Sequence, residues 1–193
     1  MKRVAVFCGS SNGASPIYQE GAKTLGKTLA QRGITLVYGG ASVGLMGAVA
    51  NGVLEEGGQV IGIIPKMLED REISHKHLTK LIVVDSMHER KAKMSELADG
   101  FIALPGGPGT LEEFIEIFTW AQLGLHQKPC GLLNINQYFA PIVSFFDHMI
   151  EEQFLQKKYR FMAVVDSSPD VLLDKFNTYE PPAVKTYIRE DQS

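Results

Sequence analysis

Apolar residues along this chain fall into short continuous runs separated by amphipathic stretches, and the rhythm repeats from end to end. Val4 to Cys8 is the first run. Gly9-Ser10-Ser11-Asn12-Gly13 follows it, and Ser15-Pro16 then opens a helix as N-cap and first-turn proline, reaching about Gln31 with Gly33 past its end. Thr35 to Tyr38 is a second strand closing on Gly39-Gly40. The helix that starts at Gly44 is rich in small residues, which serve either packing on a sheet or close approach of a ligand. Gln59 to Ile64 gives a third strand stopped by Pro65, and Leu81 to Val84 a fourth. Between them Lys66 to Lys80 reads as an irregular polar loop, of a length that in compact domains is often functional. Phe101 to Leu104, Pro129 to Asn134 and Met162 to Val165 are strands five to seven. Helical spacing of apolar positions predicts helices from Ser86, from Leu111 to about Gly124, from Tyr138 to Phe154, and from the Ser168-Pro169 cap to about Phe176.

Uniformly apolar strands alternating with helices through short connections predict a parallel sheet covered on both sides. The fold class is therefore α/β, a Rossmann-like doubly wound parallel sheet of about seven strands with helices on both faces. Residues 1–178 read as one domain, and 179–193, with Pro181-Pro182 and a charged end, as a mobile tail. The length of 193 residues, 45% hydrophobic and 21% charged, suits one globular domain. A net charge of -3 gives no electrostatic footprint for nucleic acid or an anionic membrane, and no apolar run approaches the roughly 18 residues of a membrane span. The apolar part of the N-terminus is too short for a signal peptide, so a cytoplasmic protein is expected. Cys8 and Cys130 read as small buried hydrophobes rather than a disulfide or a metal pair. His75 and His77, with no third ligand nearby in the sequence, read as surface histidines.

The richest stretch is Pro105-Gly106-Gly107-Pro108-Gly109-Thr110-Leu111-Glu112-Glu113, a strand end, a glycine loop and a helix start in succession. Exposed amides and the positive end of a helix attract a phosphate, and glycine lets the anion approach the backbone. The loop lacks the Lys-Ser/Thr of the Walker pattern and the glycine spacing of the dinucleotide fingerprint. Thr110 and Glu113 have the spacing of a capping box, so Glu113 is either a cap or a working carboxylate. Asp85-Ser86-Met87-His88-Glu89 starts a helix with a second such box. Arg90, Lys91 and Lys93 then crowd its early turns, where cations oppose the dipole, and an anionic ligand would account for them. In doubly wound sheets ligands bind beyond the carboxyl ends of the strands, where all these loops lie.

Pro105 to Glu113 matches the PGGxGTxxE motif, and Met87-His88-Glu89-Arg90-Lys91-Ala92 matches its usual upstream companion. With Tyr38-Gly39-Gly40 and Gly44-Leu45-Met46-Gly47, the chain resembles the Lonely Guy family of cytokinin riboside 5'-monophosphate phosphoribohydrolases from its first strand to about residue 176. The resemblance implies hydrolysis of the N-glycosidic bond of an adenosine 5'-monophosphate, releasing the base and ribose 5-phosphate, without metal or cofactor. It implies Arg90 and Glu113 as the catalytic pair, with Lys91, Gly107, Pro108, Gly109, Thr110 and Glu112 around the nucleotide. Glu72 corresponds to a substrate-contacting glutamate by its place in the 66–80 loop, and Ser10 and Gly40 are placed near the nucleotide by topology. A homodimer is implied. Members of the family have been labelled lysine decarboxylases, but nothing in this sequence marks a pyridoxal phosphate lysine. The alternative is a non-catalytic carrier of nucleotides or molybdenum cofactor, to which related folds are put. Ala41 replaces a glycine common in relatives, which matters only if that position needs positive φ.

Overall fold

The computed structural model describes residues 1–69 and 74–183. Seven strands, β1 (Arg3–Phe7), β2 (Thr35–Tyr38), β3 (Val60–Pro65), β4 (Lys80–Val84), β5 (Gly100–Ala103), β6 (Cys130–Leu133) and β7 (Ala163–Asp166), form one sheet in the order β4-β3-β2-β1-β5-β6-β7. Every pairing is parallel. The helices are α1 (Pro16–Gln31), α2 (Gly44–Glu55), α3 (Lys66–Glu69), α4 (Met87–Leu97), α5 (Pro108–Leu123), α6 (Ala140–Glu151), α7 (Lys157–Arg160) and α8 (Pro169–Asn177). Strand order runs outward from β1 in both directions, so the chain reverses its winding between β1 and β5 and opens a crevice there.

The central strands are buried on both sides, which is why their sequence is apolar without alternation. Successive residues feed opposite cores. Val4, Val6, Ile102 and Leu104 pack with α1, α2 and α8, while Ala5, Phe7, Phe101 and Ala103 pack with Phe114, Phe118 and Phe146 of α5 and α6. The register pairs Val6 with Tyr38 and Phe7 with Ala103, so the chain leaves β1, β2 and β5 at one level. Gly9, Gly39 and Pro105 thereby meet on a single edge.

Local chemistry explains most boundaries. Ser15 caps α1, accepting from the Ile17 N–H at 3.5 Å, with Pro16 in the first turn. The small residues of α2 are explained by packing: a methyl on Gly52 would strike the backbone of Lys23, and one on Gly26 the backbone of Val49 and Val53. Helices α1 and α2 therefore cross backbone to backbone.

Three expectations are revised. The stretch from Lys66 to Lys80 is not wholly irregular: α3 occupies its start, and Ser74 forms an isolated bridge with Ala41. The long helix expected from Tyr138 begins at Ala140, because a 3₁₀ turn over Ile135–Gln137 precedes it, and it ends at Glu151. His75 is not a surface residue. It is 9% exposed, its Nε2 donates to Asn51 Oδ1 at 2.9 Å and its Nδ1 accepts from the His77 N–H at 3.2 Å, while burial lowers its pKa. Of the expected tail, 179–183 is described, and Ala183 accepts from Lys158 Nζ at 2.9 Å; 184–193 lies outside the described residues.

Candidate active site

Helix α5 starts three residues earlier than its apolar spacing predicts. Gly107 is its N-cap and Pro108 its first residue, since proline's fixed φ suits that position and its missing N–H costs nothing there. Thr110 is consequently inside the helix, its N–H donating to the Gly107 carbonyl at 3.1 Å. The Thr110–Glu113 capping box does not form. Glu113 sits one turn further in, 9% exposed, with its carboxylate released from capping. The N–H groups of Gly107 and Gly109 make no hydrogen bond among the described residues. A methyl added at either glycine would meet nothing within 4 Å. No packing among the described residues requires glycine at these two positions, and what their absent side chains leave open is room beside unpaired donors.

Helix α4 supplies the facing group. Ser86 accepts from the Glu89 N–H at 3.1 Å as the sequence predicts, although Glu89 reaches back to the N–H of Asp85 (2.9 Å) rather than that of Ser86. One turn on, Arg90 crosses toward α5. Its Nη2 stands 3.7 Å from Glu113 Oε1, with both side chains 11% exposed. That separation holds the charges together without a hydrogen bond. Nη1 reaches only the Met87 sulfur at 3.6 Å, and the buried Nε has no partner among the described residues. A guanidinium with donors to spare is unusual in a folded interior and fits an anionic or polar ligand. Burial raises the pKa of Glu113 and outweighs the opposing pull of Arg90.

Arg90, Glu113, Gly107, Pro108, Gly109, Thr110, Glu112 and Ser10 line one cleft of about 360 Å³. Cys8, Gly9, Met46 and Met87 complete it. Lys91 stands outside: it bridges Glu112 at 2.6 Å and Glu116 at 2.9 Å, and so ties α4 to α5. Lys93 pairs with Glu96 on its own helix at 2.8 Å. Of the three crowded cations, therefore, only Arg90 enters the cleft. Gly40 does not line it either; with φ +78 it turns the chain, and its carbonyl accepts from the His75 N–H at 2.9 Å. Glu72 lies outside the described residues.

The first glycine of the pair, Gly39, is the one that matters to the cleft. Its missing side chain leaves the space that Arg90 Nη2 and Met46 Cε occupy. The Gly39-Gly40 signal was visible in the sequence, but not which of the two touches the arginine. Met46 and Met87 stand in stretches that carry the resemblance, but neither is assigned to the cleft by sequence. Ala41 has no positive φ, so the departure from glycine there is without strain. Cys8 and Cys130 are buried as expected, and burial raises both thiol pKa values, leaving them protonated.

A doubly wound sheet whose switch point presents free helix amides opposite an arginine–carboxylate pair belongs to the class of α/β proteins with a nucleotide-type anion cleft. Comparison with known proteins narrows the class. A family model described as "Possible lysine decarboxylase" matches residues 46–176. A rice protein (Oryza sativa subsp. japonica) named "Probable cytokinin riboside 5'-monophosphate phosphoribohydrolase LOGL2" is 51% identical over 180 residues, 93% of this chain and 74% of that one. A cytokinin riboside 5'-monophosphate phosphoribohydrolase of Arabidopsis thaliana is 49% identical over 180 residues, covering 93% of this chain and 83% of its own. The chain belongs to the Lonely Guy family of cytokinin riboside 5'-monophosphate phosphoribohydrolases. Among solved structures, the molybdenum cofactor binding protein of Rippkaea orientalis superposes with a TM-score of 0.68 at 22% identity, over 92% of this chain and 97% of that one, a likeness of fold.

The decarboxylase description implies pyridoxal phosphate held on a lysine, and the residues do not fit it. No lysine lines the cleft among the described residues. Lys91, the neighbour of Arg90 in sequence, has its pKa raised by its hydrogen bond to Glu112, the reverse of what an imine-forming amine needs.

Proposed function

We propose that this chain hydrolyses the N-glycosidic bond of adenosine 5'-monophosphates, N6-substituted ones of the cytokinin class included, to free base and ribose 5-phosphate. The observation that carries the reading is the Arg90–Glu113 pair, buried and 3.7 Å apart, in the same cleft as the unpaired amides of Gly107 and Gly109. The names of the relatives, 49–51% identical, support it.

The phosphate sits at the amino end of α5, on the Gly107 and Gly109 amides with Ser10 and Thr110 beside them. That places the ribose toward Glu113 and Arg90. As the bond between the anomeric carbon and the base nitrogen breaks, positive charge grows on the sugar and negative charge on the base. The Glu113 carboxylate stabilises the first and takes a proton from the attacking water, whose oxygen bonds to the anomeric carbon. The leaving base nitrogen gains a proton, so water is divided between the two products. Arg90, whose Nε has no partner among the described residues, turns its fork of donors on the ligand. Its charge also offsets part of the cost that burial imposes on the ionised Glu113 carboxylate. Lys91 and Glu112 act by holding α4 and α5 at the distance this requires. Glu72 is assigned a contact with the substrate on resemblance.

Two further readings belong here. The protein works as a homodimer: Phe145, Phe154 and Phe161 are 51%, 87% and 71% exposed, an apolar surface that a second copy would cover. It is cytoplasmic, which the two unpaired cysteines support. The test is chromatography of products from AMP, N6-isopentenyl-AMP and the unphosphorylated riboside, with Glu113→Gln and Arg90→Ala beside the wild type. Free base from the monophosphates alone, lost in both variants, is the expected result. Binding without base release would sink the hydrolase and leave a carrier.

A further inference from the structure

A second cavity of about 440 Å³, which Arg90 does not line, adjoins the glycine loop, walled by Tyr18, Tyr138, Ala14 and Leu45 and by Gly9, Gly106 and Gly107. Tyr138 crosses it. Its hydroxyl donates to the Gly106 carbonyl at 2.6 Å, and its ring is held edge-on between Tyr18 (5.8 Å between centroids) and Phe139 (5.2 Å). From this contact we infer that Tyr138 is a positioning residue for the phosphate site, acting through the Gly106–Gly107 peptide. The inference rests on the reading of the loop given above.

The Gly106–Gly107 bond is trans, so its carbonyl and its N–H point in opposite directions across one rigid plane. Fixing the carbonyl toward Tyr138 turns the Gly107 N–H away from it, toward the cleft that Gly107 shares with Thr110 and Arg90. That N–H is one of the two unpaired donors at the start of α5. A peptide between two glycines has no side chain to resist rotation about the flanking bonds, so its orientation must be set from outside. Gly9 holds the preceding residue, donating to the Pro105 carbonyl at 3.0 Å, and Thr110 and Leu111 hold the following one through the Gly107 carbonyl. Only Tyr138 holds the plane between them among the described residues. Rotated by half a turn, the same peptide would present its oxygen to the phosphate in place of its hydrogen.

The variant Tyr138→Phe removes the hydroxyl and keeps the ring against Tyr18 and Phe139. Binding of ribose 5-phosphate and of adenosine, steady-state kinetics with AMP, and thermal melting are measured on the variant, on Tyr18→Phe and on the wild type. A charge-assisted hydrogen bond lost to the phosphate predicts ribose 5-phosphate bound about tenfold more weakly. KM rises in step, kcat changes little, and adenosine binding and the melting temperature hold. Tyr18→Phe behaves as wild type. Unchanged ribose 5-phosphate binding in Tyr138→Phe overturns the inference, and so does an equal loss for adenosine together with a lowered melting temperature, which would mark a structural role. Wild-type protein that binds no ribose 5-phosphate and releases no base removes the reading of the whole site, Tyr138 with it. Wild-type binding that persists intact in the variant removes only the role of Tyr138.

Discussion

Substituting alanine for Gly39 should separate activity from folding. A Cβ there would overlap Arg90 Nη2 and Met46 Cε and lie 2.9 Å from Arg90 Cζ. Non-bonded heavy atoms sit comfortably at about 3.5–4.0 Å, so the guanidinium, whose Nη2 is the atom nearest the new Cβ, must retreat by about 1.5 Å. All the clashing atoms belong to the outer parts of flexible side chains, and Gly39 has no positive φ, so the backbone accepts alanine. Overpacking costs about 1–3 kcal/mol, and the low end applies where neighbours can swing aside. The melting temperature should then fall by about 2–4 °C. Displacement of a catalytic group by about 1 Å costs about 100-fold in rate. Base release from AMP and calorimetry on the same sample check both halves. A variant with more than half the wild-type rate would show that Arg90 is not needed where it stands. An unfolded variant would show that the backbone, not the arginine, reserves the space. Gly44→Ala is the contrast: φ is +57 and the methyl would strike the backbone of Ser10, so that change should cost the fold itself.

Gly107→Ala should leave stability unchanged or raise it by up to about 1 kcal/mol, since the methyl meets nothing and φ is -83, while KM for the monophosphate rises severalfold; thermal melting and kinetics together decide it. Glu113→Gln should abolish turnover yet stabilise the protein near neutral pH. Because burial raises the pKa of Glu113, the wild type is free of the penalty below the ordinary glutamate range and incurs it as pH rises through the folded-state value, so the advantage of the variant should grow over that interval in denaturant titrations. An advantage that grows instead toward acid would reverse the sign of this argument.

Much of the fold was legible because it rests on local rules. Ser15-Pro16 and Ser168-Pro169 start helices α1 and α8 where a capping serine and a first-turn proline require them. The apolar runs gave seven strands, the central ones because both of their faces are buried and the edge strands β4 and β7, which are partly exposed, because one face still packs on the core. The start of α5 was misplaced because its apolar spacing begins only at Leu111 and the residues before it read as glycine loop, whereas proline is a favoured residue at the first position of a helix. The same error left Glu113 divided between capping and chemistry. Within the site, Arg90 and the glycine loop could be found from their spacing, being chemically unusual where they stand. Lys91 was grouped with Arg90 because sequence places them side by side, but adjacent helical residues point in different directions, and only the tertiary structure tells which faces the cleft and which faces Glu112 and Glu116. The Tyr138–Gly106 and Gly39–Arg90 contacts are made over long sequence distances, which no periodicity announces.

The two walls of the cleft are fastened by different forces. On the Ser10 side, α1 and α2 meet backbone to backbone at Gly26 and Gly52, with the surface Lys23–Glu55 and Lys27–Glu56 pairs only at the flank of that contact, and the Leu45 N–H donates to the Gly9 carbonyl at 3.1 Å. On the Arg90 side, α4 is tied to α5 through Lys91, 12% exposed, and carboxylates that are 57% and 29% exposed. Dissolved salt screens the second fastening, whereas on the first it weakens only the flanking ion pairs and leaves the packed backbones in contact. Ionic strength thus acts as a one-sided control on the gap between Arg90 and Glu113: concentrated salt loosens the wall that carries the arginine while the phosphate-side wall keeps its shape.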